Sequence, residues 1–183
     1  MDFTLQCVPP DKLKLELQRA AASVAPVDSA KPATLFYKRS HFVTHLPVNF
    51  RYTRSHFWLA EQPDGVWRIG LTRFATRMLG DMVDHGFELE PGATVEFGQI
   101  IGWVEGFKAI SDLYCVANGE FAGGNPLLKE KIVAVNKDPY GTGWLYQIRG
   151  APDANCLDVH AYARFLDKAI DKILEKQLNA EIK

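Results

Sequence analysis

Cysteine is scarce. Cys7, Cys115 and Cys156 are the only three in 183 residues. They are widely spaced, and no Cys-x-x-Cys pair occurs. Neither a zinc knuckle nor a disulfide framework is indicated, and thiols in a reducing compartment are the simple reading. Net charge is nearly absent as well: 21 Lys+Arg stand against 22 Asp+Glu, a formal net charge of −1. That leaves no overall field to hold nucleic acid or an anionic membrane, so neither partner is expected. No apolar run approaches the roughly 18 residues that a membrane span needs. The first residues lack the basic-then-apolar order of a secretory signal, and Asp2, Asp11 and Glu16 are out of place in a mitochondrial transit peptide. A cytoplasmic setting is expected. Nucleophilic triads, P-loops and dinucleotide fingerprints are missing too. Gly102-Trp-Val-Glu-Gly106 is not followed by a helix pattern and so does not cradle phosphate. No pair of carboxylates stands out as acid and base, and a chain with its own active site is not expected.

What is present is apolar material, at 47% hydrophobic residues. That is enough for a real core and excludes wholesale disorder. The length fits one domain with an appendage. Charge is segregated along the chain. Lys31, Lys38, Arg39, Arg51 and Arg54 form a basic strip over residues 31–60 that contains no acidic side chain. A block rich in Asp and Glu follows over 61–130. The strip with its interleaved aromatics fits a solvated face, or a partner for the acidic block. It is weak evidence for RNA contact.

Residues 10–22 are rich in helix formers, although Leu13, Leu15 and Leu17 alternate with a strand period. A helix is expected there, followed by a Pro-containing linker over 23–34. Residues 1–34 thus form an N-terminal extension, and 35–183 form the domain proper. Tyr37-Lys-Arg-Ser-His-Phe42 is echoed by Tyr52-Thr-Arg-Ser-His-Phe57, which suggests two neighbouring strands. His41, His45 and His56 lack metal-type spacing and read as surface histidines. Phe57 to Thr72 reads as a hairpin turning at Gln62-Pro-Asp-Gly65. A short helix follows, capped by Thr72, with Phe74, Met78, Leu79 and Met82 on one face and Gly80 ending it. Thr94–Phe97, Ile100–Val104, Leu113–Val116 and Trp144–Ile148 read as strands. Asn118-Gly119 is expected to be a hairpin turn, and Asp138–Gly143 is dense in turn residues. Residues 158–178 carry the apolar stripe Val159, Tyr162, Leu166, Ile170, Ile173 and Leu174, and predict an amphipathic docking helix capped by Asp158. The fold class is mainly β: hairpins with a short edge helix and a C-terminal helix.

One place concentrates chemistry. In Glu105-Gly-Phe-Lys108-Ala109, Gly106 permits a tight reversal, which puts Lys108 at a hairpin tip. Lys108 is the only Lys or Arg between Arg77 and Lys129, and Asp81, Asp84, Glu88, Glu90, Glu96, Glu105, Asp112 and Glu120 surround it in sequence. By pattern alone a solvated turn lysine is the simpler account. The functional account is an acceptor amine that a modifying enzyme can reach. Amide formation there would abolish the charge and attach a swinging cofactor.

The run from Gly102 to Gly119, with Glu three residues before the lysine, a small residue after it and then Ser111-Asp-Leu-Tyr114, resembles the lipoylation motif of glycine cleavage system H proteins. Further likenesses follow in order: Tyr52–Trp58, Ile69-Gly-Leu-Thr72, Leu79-Gly-Asp81 and Asp138–Trp144. Biotin carriers place Met on both sides of the lysine, and lipoyl domains of 2-oxo-acid dehydrogenases usually have Asp before it. Phe107 and Ala109 fit neither. The resemblance implies a flattened β-sandwich of the lipoyl/biotinyl type, with lipoate carried on Lys108. Glu105, Gly106, Ala109 and Asp112 would be recognition residues for a lipoate ligase or lipoyltransferase. It implies a carrier without turnover of its own, which moves an aminomethyl group from glycine decarboxylase to an aminomethyltransferase and is reoxidised by dihydrolipoamide dehydrogenase. The wider family also includes H-like lipoate-binding proteins of other routes, such as sulfur oxidation. A third account is an interaction module that never receives lipoate. Gly106-Phe107 stands in place of the family's usual Ser-Val, Arg73 in place of a common acidic residue, and Lys131-Ile132 in place of Asn-Pro.

Overall fold

The computed structural model describes residues 33–181. The helix expected over 10–22, and nearly all of the linker after it, lie outside the described residues. Two strands come first, β1 (Thr34–Arg39) and β2 (Phe42–Pro47), paired as an antiparallel two-stranded sheet. Then come β3 (Arg51–Tyr52), β4 (Phe57–Glu61), β5 (Val66–Leu71), helix α1 (Arg73–Leu79), β6 (Met82–Phe87), β7 (Thr94–Val95), β8 (Ile100–Gly106), β9 (Ala109–Tyr114) and β10 (Ala117–Gly124). A 3₁₀ turn (Pro126–Lys129), helix α2 (Ala134–Lys137), β11 (Tyr146–Pro152) and helix α3 (Val159–Glu181) complete the order. A six-stranded sheet runs β3-β4-β5-β11-β10-β7, and a three-stranded sheet runs β6-β8-β9.

Strand periodicity explains the two hydrophobic clusters. Successive side chains of a strand point to opposite faces, and β4 is apolar on both. Phe57 and Leu59 join Ile69, Ile101, Val104, Leu113, Phe121 and Ile148 in the main core. Trp58 and Ala60 point the other way, into a second cluster with Tyr37, Phe42, Leu46, Tyr52, Phe74, Tyr162, Leu166 and Ile170. Each fully buried side chain of this size contributes about 1.5–3 kcal/mol. Helix α3 lays its apolar stripe on this second cluster, where Tyr52 and Tyr162 stack with ring centres 4.6 Å apart. Asp158 caps α3 as expected, accepting from the Ala161 N–H at 2.7 Å. The basic strip is in part packed on the domain, while its Lys38, Arg51 and Arg54 are exposed. Its first part is the β1–β2 hairpin, tied to α3 through Arg39 and Asp171 (2.6 Å) and through the Tyr37 hydroxyl, which donates to Asp167 at 2.9 Å.

Several sequence expectations need correction. The two echoed hexapeptides are not neighbouring strands. Each spans a hairpin corner, β1–β2 and β3–β4, with Ser40 (φ 51°) or His56 (φ 65°) making the bend. His56 is not a surface residue. Its ring packs against Phe74 and Phe165, and Nδ1 hydrogen-bonds the Tyr162 hydroxyl at 2.9 Å. Met82 belongs to β6, not to the helix face, and the helix buries Phe74, Ala75 and Thr76 while Met78 is exposed. Asn118-Gly119 lies inside β10, opposite Ala151 and Gly150. The Asn118 side chain is occupied in accepting from the Phe97 N–H at 2.8 Å. The strands expected over 94–97 and 113–116 shorten or shift to β7 and β9. The hairpin turning at 62–65, the Thr72 cap (accepting from the Ala75 N–H at 3.4 Å) and the Gly80 terminus (φ 86°) stand as read.

Candidate functional site

Strands β8 and β9 form a hairpin whose last pair is Gly106 with Ala109, leaving Phe107 and Lys108 as its two-residue turn. The turn is not free-standing. The Phe107 N–H donates to the Asp81 carbonyl and the Lys108 N–H to the Leu79 carbonyl, both at 2.9 Å. The hairpin tip is thereby pinned to the last residue of α1 and to the segment just after it. Gly106 is required here for a different reason from the one its sequence suggests. Its φ is not positive; instead a Cβ on it would sit 2.4 Å from the Leu79 carbonyl oxygen. Gly80 does need its left-handed φ of 86°, and a Cβ there would sit 3.1 Å from the Lys108 Cγ.

Asn136 on α2 holds the seat from below. Its side-chain amide donates to the Gly80 carbonyl at 3.1 Å, and its Oδ1 accepts from the Met82 N–H at 2.8 Å. Nothing in the sequence reading singled out Asn136. Its one sequence signal was its place two residues before the turn that starts at Asp138.

The pinned backbone contrasts with a free side chain. Lys108 is exposed, and among the described residues no hydrogen bond or ion pair engages its amine. Phe107 beside it is 84% exposed. Glu105 pairs with Ile110, and Trp103 pairs with Asp112. Because alternate residues share a face, Glu105 and Asp112 lie on the same side of the hairpin. Ala109 is exposed at the start of β9. The structure thus places Lys108, Glu105, Gly106, Ala109 and Asp112 on one hairpin.

In space Lys108 also has basic neighbours that its sequence surroundings do not show. A cleft of about 870 Å³ adjoins Lys108, lined by Arg73, Arg77, Asp81, Phe107 and Lys137 among others. Its charged lining is basic except for Asp81. Elsewhere, burial lowers the pKa of His56 to about 4, so the ring is neutral at ordinary pH. Burial also raises the Cys115 thiol, which suits a packing role.

A β-sandwich that pins the backbone of one turn, and leaves its lysine amine unengaged among the described residues, is a scaffold that presents that amine. Comparison with known proteins gives the lineage. Residues 50–168 match the family described as glycine cleavage H-protein. Over 128 residues the chain is 36% identical to the glycine cleavage system H protein of Enterobacter sp. (strain 638), covering 68% of this chain and 98% of that protein. It is 35% identical to the protein of the same description from Klebsiella pneumoniae, with the same coverage. A crystal structure of a glycine cleavage system H protein from Mycobacterium marinum aligns with a TM-score of 0.58 at 35% identity, over 64% of this chain and 96% of that one. The chain belongs to the glycine cleavage H-protein family.

Proposed function

We propose that this protein is the lipoyl carrier of a glycine cleavage system, with lipoate held in amide linkage on the Lys108 amine. The observation that carries the reading is the turn itself: an exposed amine, unpaired among the described residues, on a backbone fixed by two hydrogen bonds to Leu79 and Asp81. A primary amine is the donor an amide needs, and the cleft beside it leaves room for an attached arm. When bound, the group supplies the chemistry of a ring disulfide, which takes up an aminomethyl unit and is regenerated by reoxidation.

The chain's own residues do the rest. Gly106 lets the tip seat against Leu79. Glu105 and Asp112 offer two carboxylates on one hairpin face to the lipoate ligase or lipoyltransferase, and Ala109 keeps the approach to the amine unobstructed. The fixed turn anchors the arm, so that docking of each partner raises its effective concentration at that partner's site. The partners are glycine decarboxylase, aminomethyltransferase and dihydrolipoamide dehydrogenase. The setting is a reducing cytoplasm, in keeping with free thiols at Cys115 and Cys156.

Co-expression with a lipoate ligase, followed by intact-mass measurement, should show one lipoyl amide, absent from Lys108→Arg. An unmodified wild-type chain under lipoate-replete conditions would refute the attachment. Full lipoylation with no turnover by glycine decarboxylase would refute the pathway.

A further inference from the structure

We propose that the cleft beside Lys108 is the docking surface for an acidic face of the enzyme that acylates this lysine, with Arg73, Arg77 and Lys137 as the residues that read it. The inference rests on the carrier reading above.

Two of these cations are held in place. Arg77 donates from Nη1 to the His41 carbonyl at 3.1 Å, and its guanidinium carbon lies 5.8 Å from the centre of the Phe42 ring. Arg73 donates from Nη1 to the Asn136 carbonyl. Both residues sit on α1, four positions apart and so on neighbouring turns of one face. Neither has a carboxylate partner. Among the described residues the ion pairs are those of Arg39 with Asp167 and Asp171. Like charges fixed side by side without a counter-ion repel one another, and the acidic face of a partner relieves that repulsion.

Place and composition indicate which partner. Leu79, which accepts the Lys108 N–H, follows Arg77 by two residues on the same helix. An enzyme acting on the amine must therefore cover this cleft. There the amine nitrogen bonds to the carbonyl carbon of an acyl adenylate, the carbon–oxygen bond to AMP breaks, and one amine proton leaves to solvent. The rim is also apolar: Phe107 is 84% and Val43 45% exposed. A small free anion would leave those side chains in water, whereas a protein face buries them along with the charges. The β1–β2 hairpin that supplies His41, Phe42 and Val43 lies before residues 50–168, the stretch that matches the family. This wall of the cleft is thus an addition to the shared fold.

The test uses the full-length chain, the lipoate-attaching enzyme of the same organism, lipoate and ATP, with acylation followed by intact mass over a salt series. Arg73→Glu/Arg77→Glu and, separately, Lys137→Glu should each lower kcat/KM about tenfold or more, mainly through KM. Both should flatten its dependence on ionic strength. Arg149→Glu, on β11 away from the cleft, should leave both unchanged. Lys137 is exposed and makes no side-chain hydrogen bond among the described residues, so its reversal remains decisive if the double variant misfolds. Folded variants acylated within about twofold of wild type at every salt concentration would overturn the docking surface. Failure to acylate the wild-type chain would instead overturn the carrier reading.

Discussion

Asn136→Ala tests whether the seat of the lysine is built as described. The substitution removes one donor, to the Gly80 carbonyl, and one acceptor, from the Met82 N–H. Each bond contributes about 1 kcal/mol net, and the Met82 N–H, left in a partly buried place, adds a desolvation cost of similar size. The expected loss is about 2–3 kcal/mol, or roughly 5–10 °C in Tm for a domain of this length. Urea denaturation measures the total. Amide hydrogen exchange locates it: the Phe107 and Lys108 N–H groups donate to Asp81 and Leu79, so their protection should fall more than that of β4 or β11. Asn136→Asp is the comparator. It keeps an acceptor for Met82 but sets a carboxylate against the Gly80 carbonyl, and should be no more stable than the Ala variant. A loss under about 0.5 kcal/mol, with unchanged exchange at 107 and 108, would refute the idea that Asn136 supports the hairpin tip.

Three further outcomes follow from packing. Burial depresses the folded-state pKa of His56 from 6.5 to about 4, so below pH 6.5 the unfolded chain binds a proton that the folded chain refuses. Stability should fall by roughly 3 kcal/mol as pH drops from about 6.5 to 4 and then level off. His56→Asn tolerates the positive φ and should flatten that slope in urea titrations at stepped pH; a slope equal to wild type would sink the assignment. Tyr37→Phe deletes the hydroxyl bond to Asp167 and should cost about 1–2 kcal/mol, with β1–β2 amides exchanging faster. Unchanged exchange there would mean the clasp does not hold the hairpin. Gly70→Ala puts a Cβ 2.6 Å from the Trp58 ring, whose indole N–H donates to the Leu71 and Pro139 carbonyls. A loss of about 1–3 kcal/mol with a changed near-ultraviolet CD band is expected, and a silent substitution would contradict the packing.

The parts of the fold legible in the sequence are those whose cause is local. The turn at 62–65, the Thr72 cap, the Gly80 terminus and the α3 stripe each follow from a few adjacent residues. β6 was missed because Val83-Asp-His-Gly has no apolar alternation; its partner β8 holds it in place, with a register shift between Met82 and Asp84. Asn118-Gly119 misled because a dipeptide that favours a turn was outweighed by pairing with β11. His56 read as a surface residue because its burial comes from Phe74, Tyr162 and Phe165, which lie far along the chain. At the site, Lys108 was visible as a lysine isolated in an acidic stretch. Its spatial neighbours were not, because α1 and α2 bring Arg73, Arg77 and Lys137 to it across more than 25 residues of chain on either side.

That contrast bears on how such a carrier works. A tethered arm gains effective concentration only if its base is fixed and its free end is not. The two backbone bonds from Phe107 and Lys108 fix the base to Leu79 and Asp81. The unengaged side chain begins the mobile part at the next bond. Were the turn unpinned, the base would wander with the hairpin and dilute the arm at each docked partner. Were the amine paired with Asp81, acylation would first have to break that pair. Among the described residues Asp81 makes no such pair. It meets the turn through its backbone carbonyl instead, a contact that survives when Lys108 loses its charge on acylation.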